Sequence, residues 1–140
     1  MLFSPRSYFL KKTFHSQEEV LTFLHTQLMK KGLVGKPFLD AVYEREKVAP
    51  TAYGNLVAIP HPITPQTEKT FVCVCTLEKP IDWNNNSVQI IFLLCVKKNS
   101  QEDLQEMYDV LGKFIEDHTS VHKILKASMY EEFIRIMKEA

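Results

Sequence analysis

The chain has no surplus charge of either sign. Lys+Arg and Asp+Glu both number 17. Without a basic field there is nothing to steer DNA, RNA or an anionic membrane onto this segment, so no direct nucleic-acid contact is expected. No run of 18 or more apolar residues occurs, so membrane insertion is not expected either. The residues Met1 to Arg6 lack the layout of a secretion signal. Cysteine is scarce, and Cys73, Cys75 and Cys95 all fall inside apolar runs. An odd number in strand-like stretches reads as reduced thiols of a cytoplasmic protein. Cys73 and Cys75 have no nearby histidine or second cysteine pair, so they read as core and not as a metal site. There is no Gly-rich phosphate loop, no carboxylate pair and no Ser/His/Asp pattern. A self-contained hydrolase or an ATP-using kinase is therefore not expected. Arginine is rare: Arg6, Arg45 and Arg135 stand against 14 lysines.

What is present suits one globular domain, residues 1–140. The composition is 45% hydrophobic and 24% charged, within the ordinary globular range. A chain of this size buries roughly 68–70% of its unfolded surface, enough for a core without staples.

Tyr8, Leu10 and Phe14 suggest an edge strand. Ser16 to Glu19 form a capping box ahead of Val20, Leu21, Leu24 and Leu28 at helical spacing, and Gly32 is placed as a C-cap. This predicts a helix over 17–31. Pro37 opens a second helix, whose Phe38, Ala41, Val42 and Arg45 share one face, and Pro50 ends it. Thr51 to Asn55 read as a turn, Leu56 to Ile59 as a short strand, and Thr70 to Leu77 and Val88 to Val96 as strands apolar on both faces. Pro80 to Asn86 read as a loop. The last third is helical, with Ser100 as an N-cap, a short helix over 120–127 and a second capping box, Ser128 to Glu131. Strands buried on both faces need helices on both sides. The expected fold is α/β, a three-layer α/β/α sandwich around a mixed sheet of four or five strands.

The stretch Arg45 to Pro62 carries the chemistry. It presents one histidine, His61, between Pro60 and Pro62 at the end of a strand. Proline restricts itself and the residue before it, so the imidazole sits on a stiff stem. Strand ends of open α/β sheets are where ligands bind. A neutral imidazole with one nitrogen fixed by a hydrogen bond can attack through the other. Arg45 and the Thr51 hydroxyl are the sequence-near groups that could meet developing charge. Arg45 could instead pair with Glu44 or Glu46, or snorkel. His15, His25, His118 and His122 have no such setting.

Arg45-Glu46, Pro50-Thr51, Gly54-Asn55 and Ala58-Ile59-Pro60-His61-Pro62, with the later block 88–94, resemble the signature of the mannitol/fructose-type IIA domains of the bacterial sugar phosphotransferase system. The resemblance implies that His61 accepts a phosphoryl group from the phosphocarrier protein HPr and passes it to a IIB domain. It implies that Arg45 helps hold that group and that no cofactor or metal is needed; Thr51 and Asn55 are expected to help stabilise the phosphate. Family members that serve transport carry a second histidine near the start of the helix after the long strand. Here that region reads Asn99 to Leu104, with Asp103 as a candidate neighbour of His61 or, alternatively, the N3 residue of a Ser100 cap. The Ala52–Pro62 stretch with Leu77 to Trp83 is most similar to IIA-like domains of transcriptional regulators and antiterminators. The expectation is a phosphoryl-accepting module excised from a longer regulator, in contact with regulatory domains of the same chain. The alternatives are a stand-alone relay to a IIB domain and a non-phosphorylated interaction module, which Asp103 beside His61 would favour.

Overall fold

The computed structural model describes residues 2–139. A five-stranded mixed sheet has the order β1-β4-β5-β3-β2. Its strands are β1 (Tyr8–Lys12), β2 (Ala52–Gly54), β3 (Val57–Ala58), β4 (Phe71–Trp83) and β5 (Asn86–Cys95). The helices are α1 (Gln17–Lys30), α2 (Phe38–Val48), α3 (Gln101–Glu116), α4 (His118–Lys126) and α5 (Tyr130–Glu139). β1 runs parallel to β4 and β3 parallel to β5, while β4–β5 and β2–β3 are antiparallel.

Alternation along β4 and β5 divides the core into two layers. Cys73, Cys75, Ile91, Leu93 and Cys95 face α1 and α2. Val72, Val74, Ile90, Phe92 and Leu94 face α3, α4 and α5. This is the expected three-layer sandwich, and the cysteines are core. Burial pushes all three thiols up, Cys75 to about 12, so none is a ready nucleophile. Among the described residues no helix is long and apolar enough to cross a membrane.

The helix ends follow local chemistry. The Ser16 hydroxyl accepts from Glu19 N at 3.1 Å. After α1, Gly32 (φ +69°) donates to Met29 O and Leu33 N donates to Leu28 O, which makes a Schellman close. Pro37 sits at the N-cap of α2, and Ala49, before Pro50, is extended. Ser100 holds the N-cap position of α3, as expected, without a side-chain bond. Two other helix ends are corrected. Asp117, not a residue near 120, caps α4 by accepting from Thr119 N and Ser120 N. Ser128 pairs with Glu132, not Glu131.

The expected loop over 80–86 is instead the tip of a long hairpin. β4 continues to Trp83, past a register shift between Thr76 and Ile81. Asn84 and Asn85 turn the chain at φ +52° and +71°, the left-handed pair that a two-residue hairpin needs. The β2–β3 connection repeats the device at Asn55 and Leu56, with φ +50° and +70°. Replacing Asn85 by Ala is expected to cost about 1 kcal/mol in a urea unfolding curve, because a Cβ without a local polar partner disfavours this conformation. Asn85→Gly is expected to cost nothing.

Candidate functional site

Three backbone bonds hold the segment that carries His61. Ile59 N donates to Thr51 O at 3.0 Å, Leu94 N to Pro60 O at 2.9 Å, and Ile63 N to Ala41 O at 2.9 Å. The segment is thereby tied to the residue before β2, to β5 and to α2. His61 itself is 6% exposed. Its Nδ1 lies 3.0 Å from Ile59 O. A carbonyl oxygen can only accept, so Nδ1 carries the hydrogen and Nε2 the lone pair. Burial lowers the His61 pKa, the Ile59 bond opposes that, and the Arg45 charge lowers it further. The ring is thus neutral near pH 7.

Helix α2 meets the site with two rows of side chains. Phe38, Val42 and Glu46 form the buried row. Ala41 and Arg45 form the next row, over which the His61 loop is tied by the Ile63–Ala41 bond. Arg45 Nη1 donates to Ala49 O at 2.9 Å, which satisfies a carbonyl at the helix end. Among the described residues the one ion pair found is Lys98–Glu68, so Arg45 is paired with neither Glu44 nor Glu46. Its remaining donors are available to two cavities of about 260 and 320 Å³, which share Arg45, His61 and Tyr108. The first opens between His61 and the start of α3, at Gln101, Leu104 and Gln105. The second opens towards Thr51, Ala52 and Tyr53.

A neutral, oriented imidazole beside an unpaired guanidinium can receive an anionic group. The sequence profile described as phosphoenolpyruvate-dependent sugar phosphotransferase system, EIIA 2, matches residues 1–140. The chain belongs to this family. It is 44% identical over 124 residues to the probable licABCH operon regulator of Bacillus subtilis, a match covering 89% of this chain and 19% of that protein. The transcriptional regulator ManR of Bacillus subtilis is 28% identical, with 94% and 20% covered. The chain thus spans about a fifth of the length of these two relatives. The mannitol-specific phosphotransferase enzyme IIA component of Halalkalibacterium halodurans is 26% identical, with 93% and 90% covered. The fold matches Escherichia coli enzyme IIAMTL, from its complex with phosphorylated enzyme IIBMTL, at a TM-score of 0.83 and 19% identity, over 99% and 98% of the two chains.

Within this EIIA domain the other candidate residues have separate positions. Thr51 lines the second cavity, but its hydroxyl donates to Glu46 Oε1. Thr51 N and Asn84 Nδ2 donate to Glu46 Oε2 at 3.2 and 3.4 Å. The Glu46 and Thr51 of the signature are therefore bonded to each other, and together they fasten the loop between α2 and β2. Asn55 lines neither cavity. It donates to Ile115 O at 2.6 Å and anchors the β2–β3 turn to α3. Asp103 lines neither cavity; its carboxylate accepts from the Thr70 hydroxyl at 2.6 Å. The neighbour of His61 on α3 is Tyr108, with Oη 3.2 Å from Nε2. Sequence reading placed Tyr108 in the apolar stripe of that helix. The available signal was its polar tip, one turn beyond Leu104 on the stripe's edge.

Two outcomes are expected from this geometry. Thr51→Val removes a donor from a buried carboxyl group and costs about 1–3 kcal/mol. A double-mutant cycle with Glu46→Gln returns a coupling of about 1–2 kcal/mol in denaturant unfolding. The folded-state pKa of His61 lies below the ordinary value of about 6.5. Stability owed to its neutral burial is complete above that value and is lost as pH falls through the folded pKa. Thermal unfolding against pH should show a loss below about 6.5 that is smaller in His61→Gln.

Proposed function

We propose that this chain is the phosphoryl-accepting sensor domain of a sugar-responsive regulator, and that His61 Nε2 is the acceptor. The observation that carries the reading is the fixed tautomer: Nδ1 is committed to Ile59 O, and Nε2 faces cavities that Arg45 also lines. The donor is a phosphohistidine of HPr. The Nε2 lone pair attacks phosphorus, the donor's P–N bond breaks, and its electron pair returns to the donor ring. Nδ1–H stays on Ile59 O and shares the positive charge that the ring gains. Arg45 meets the phosphoryl oxygens, so catalysis is positioning and charge stabilisation. Exposed Tyr53 and Ile63 flank the cavities and suit docking of the donor protein. Thr51 and Asn55 contribute through the loop and turn that they fasten.

The regulatory assignment is supported by the two regulators of which this chain covers about a fifth. In this reading the chain is one domain of a longer cytoplasmic protein. The phosphoryl group adds about −1.5 to −2 charges, which alters contacts with the other domains. A second reading is relay to a IIB domain. It is favoured by the mannitol-specific IIA component whose length this chain covers to 90%. The non-phosphorylated module would rest on Asp103 beside His61; Asp103 accepts from Thr70 and lines neither cavity, so it is not the reading preferred.

The domain is incubated with HPr, the kinase of HPr and phosphoenolpyruvate. An acid-labile mass increase is expected, absent in His61→Ala and formed about a hundredfold more slowly in Arg45→Gln. No mass increase in the wild-type domain would sink the proposal. Rapid onward transfer to a IIB protein would replace sensor by relay.

A further inference from the structure

Tyr108 stands where the signature assigns nothing. Its Oη lies 3.2 Å from His61 Nε2, and the two rings meet edge to face at 5.8 Å. Since Nδ1 already donates to Ile59 O, Nε2 has no hydrogen to give. The Tyr108 hydroxyl is the donor in this contact. It therefore occupies the same lone pair that would form a new P–N bond. Tyr108 also lines both cavities. A small rotation of its side chain would take the hydroxyl off Nε2 and leave it beside a group bound there.

We propose that Tyr108 is a positioning residue that caps the acceptor nitrogen in the resting domain, yields as the phosphoryl group arrives, and then donates to a phosphoryl oxygen. This rests on His61 as acceptor. The hydroxyl hydrogen stays on Tyr108 throughout; only its acceptor changes, from Nε2 to oxygen. Burial raises the Tyr108 pKa and the Arg45 charge opposes that, so the hydroxyl is a protonated donor at neutral pH. A neutral hydroxyl on a neutral imidazole makes a modest bond, and the same hydroxyl on a phosphoryl oxygen makes a charge-assisted one. The exchange delays loading and prolongs the loaded state. Slow loading and long retention suit a sensor better than a relay.

Tyr108→Phe keeps the ring and removes the hydroxyl. Wild type and variant are loaded from phosphorylated HPr, separated from the donor, and followed for loading rate and phosphoryl half-life. His61 is titrated by NMR in the unloaded domains. The charged and titratable groups around its ring are Arg45 from α2, Tyr53 from β2 and Tyr108 from α3. The variant is expected to load about fivefold faster and to lose its phosphoryl group about tenfold sooner. Its His61 is expected to titrate at higher pH, because a donor that favours the neutral ring is gone. An unshifted titration with an unchanged or slower loading rate would overturn the proposal. If the wild-type domain takes no phosphoryl group, His61 as acceptor fails instead. The titration then still decides whether Tyr108 caps Nε2.

Discussion

The hydrogen bond from His61 Nδ1 to the carbonyl of Ile59 sets the chemistry of this domain. It is local, spanning two residues, and it depends on a backbone that cannot flex. Pro60 and Pro62 supply that stiffness from within the chain. The Thr51, Leu94 and Ala41 contacts supply it from outside. With the tautomer fixed, one nitrogen is a donor and the other keeps its lone pair. The remaining site residues act on that second nitrogen. Burial and Arg45 keep it unprotonated, and Tyr108 contacts it directly.

The fold places these partners by bringing its two helical layers together at one end of the sheet. β3 is parallel to β5, so the His61 loop and the start of α3 emerge on the same side. Helix α2 approaches from the opposite layer and contributes Arg45. The Glu46–Thr51 bond closes the loop after that helix, so the Arg-Glu and Pro-Thr parts of the signature serve two ends of one arrangement. One brings charge to the cavities that His61 lines and the other holds the loop after α2 in place.

Much of this was legible because its causes are local. Capping residues, Gly32 and the prolines delimit α1 and α2 through bonds made within a few residues of each end. Two-faced apolar runs marked β4 and β5 as central strands. His61 and Arg45 were legible from proline placement and helical phase. The 80–86 hairpin was not, since Pro80 and the asparagines read as a loop until the left-handed pair Asn84-Asn85 is seen to turn two strands. Asn55 and Asp103 are small polar groups whose partners lie elsewhere in the fold, at Ile115 and Thr70, while Thr51 turns back to Glu46, five residues earlier. Their spacing identifies them as donors or acceptors without naming the other half of each bond. Tyr108 was hidden for a related reason: most of its surface is apolar and fits the stripe of α3, and only the hydroxyl belongs to the site.

The most direct test of the account is to find which ring nitrogen bears the phosphoryl group. The domain, made with 15N-labelled histidine, is phosphorylated and examined for phosphorus–nitrogen coupling at His61. Coupling at Nε2, with Nδ1 still protonated, is the predicted result. Coupling at Nδ1 would contradict it, because the Ile59 bond could not then be what prepares His61 to react.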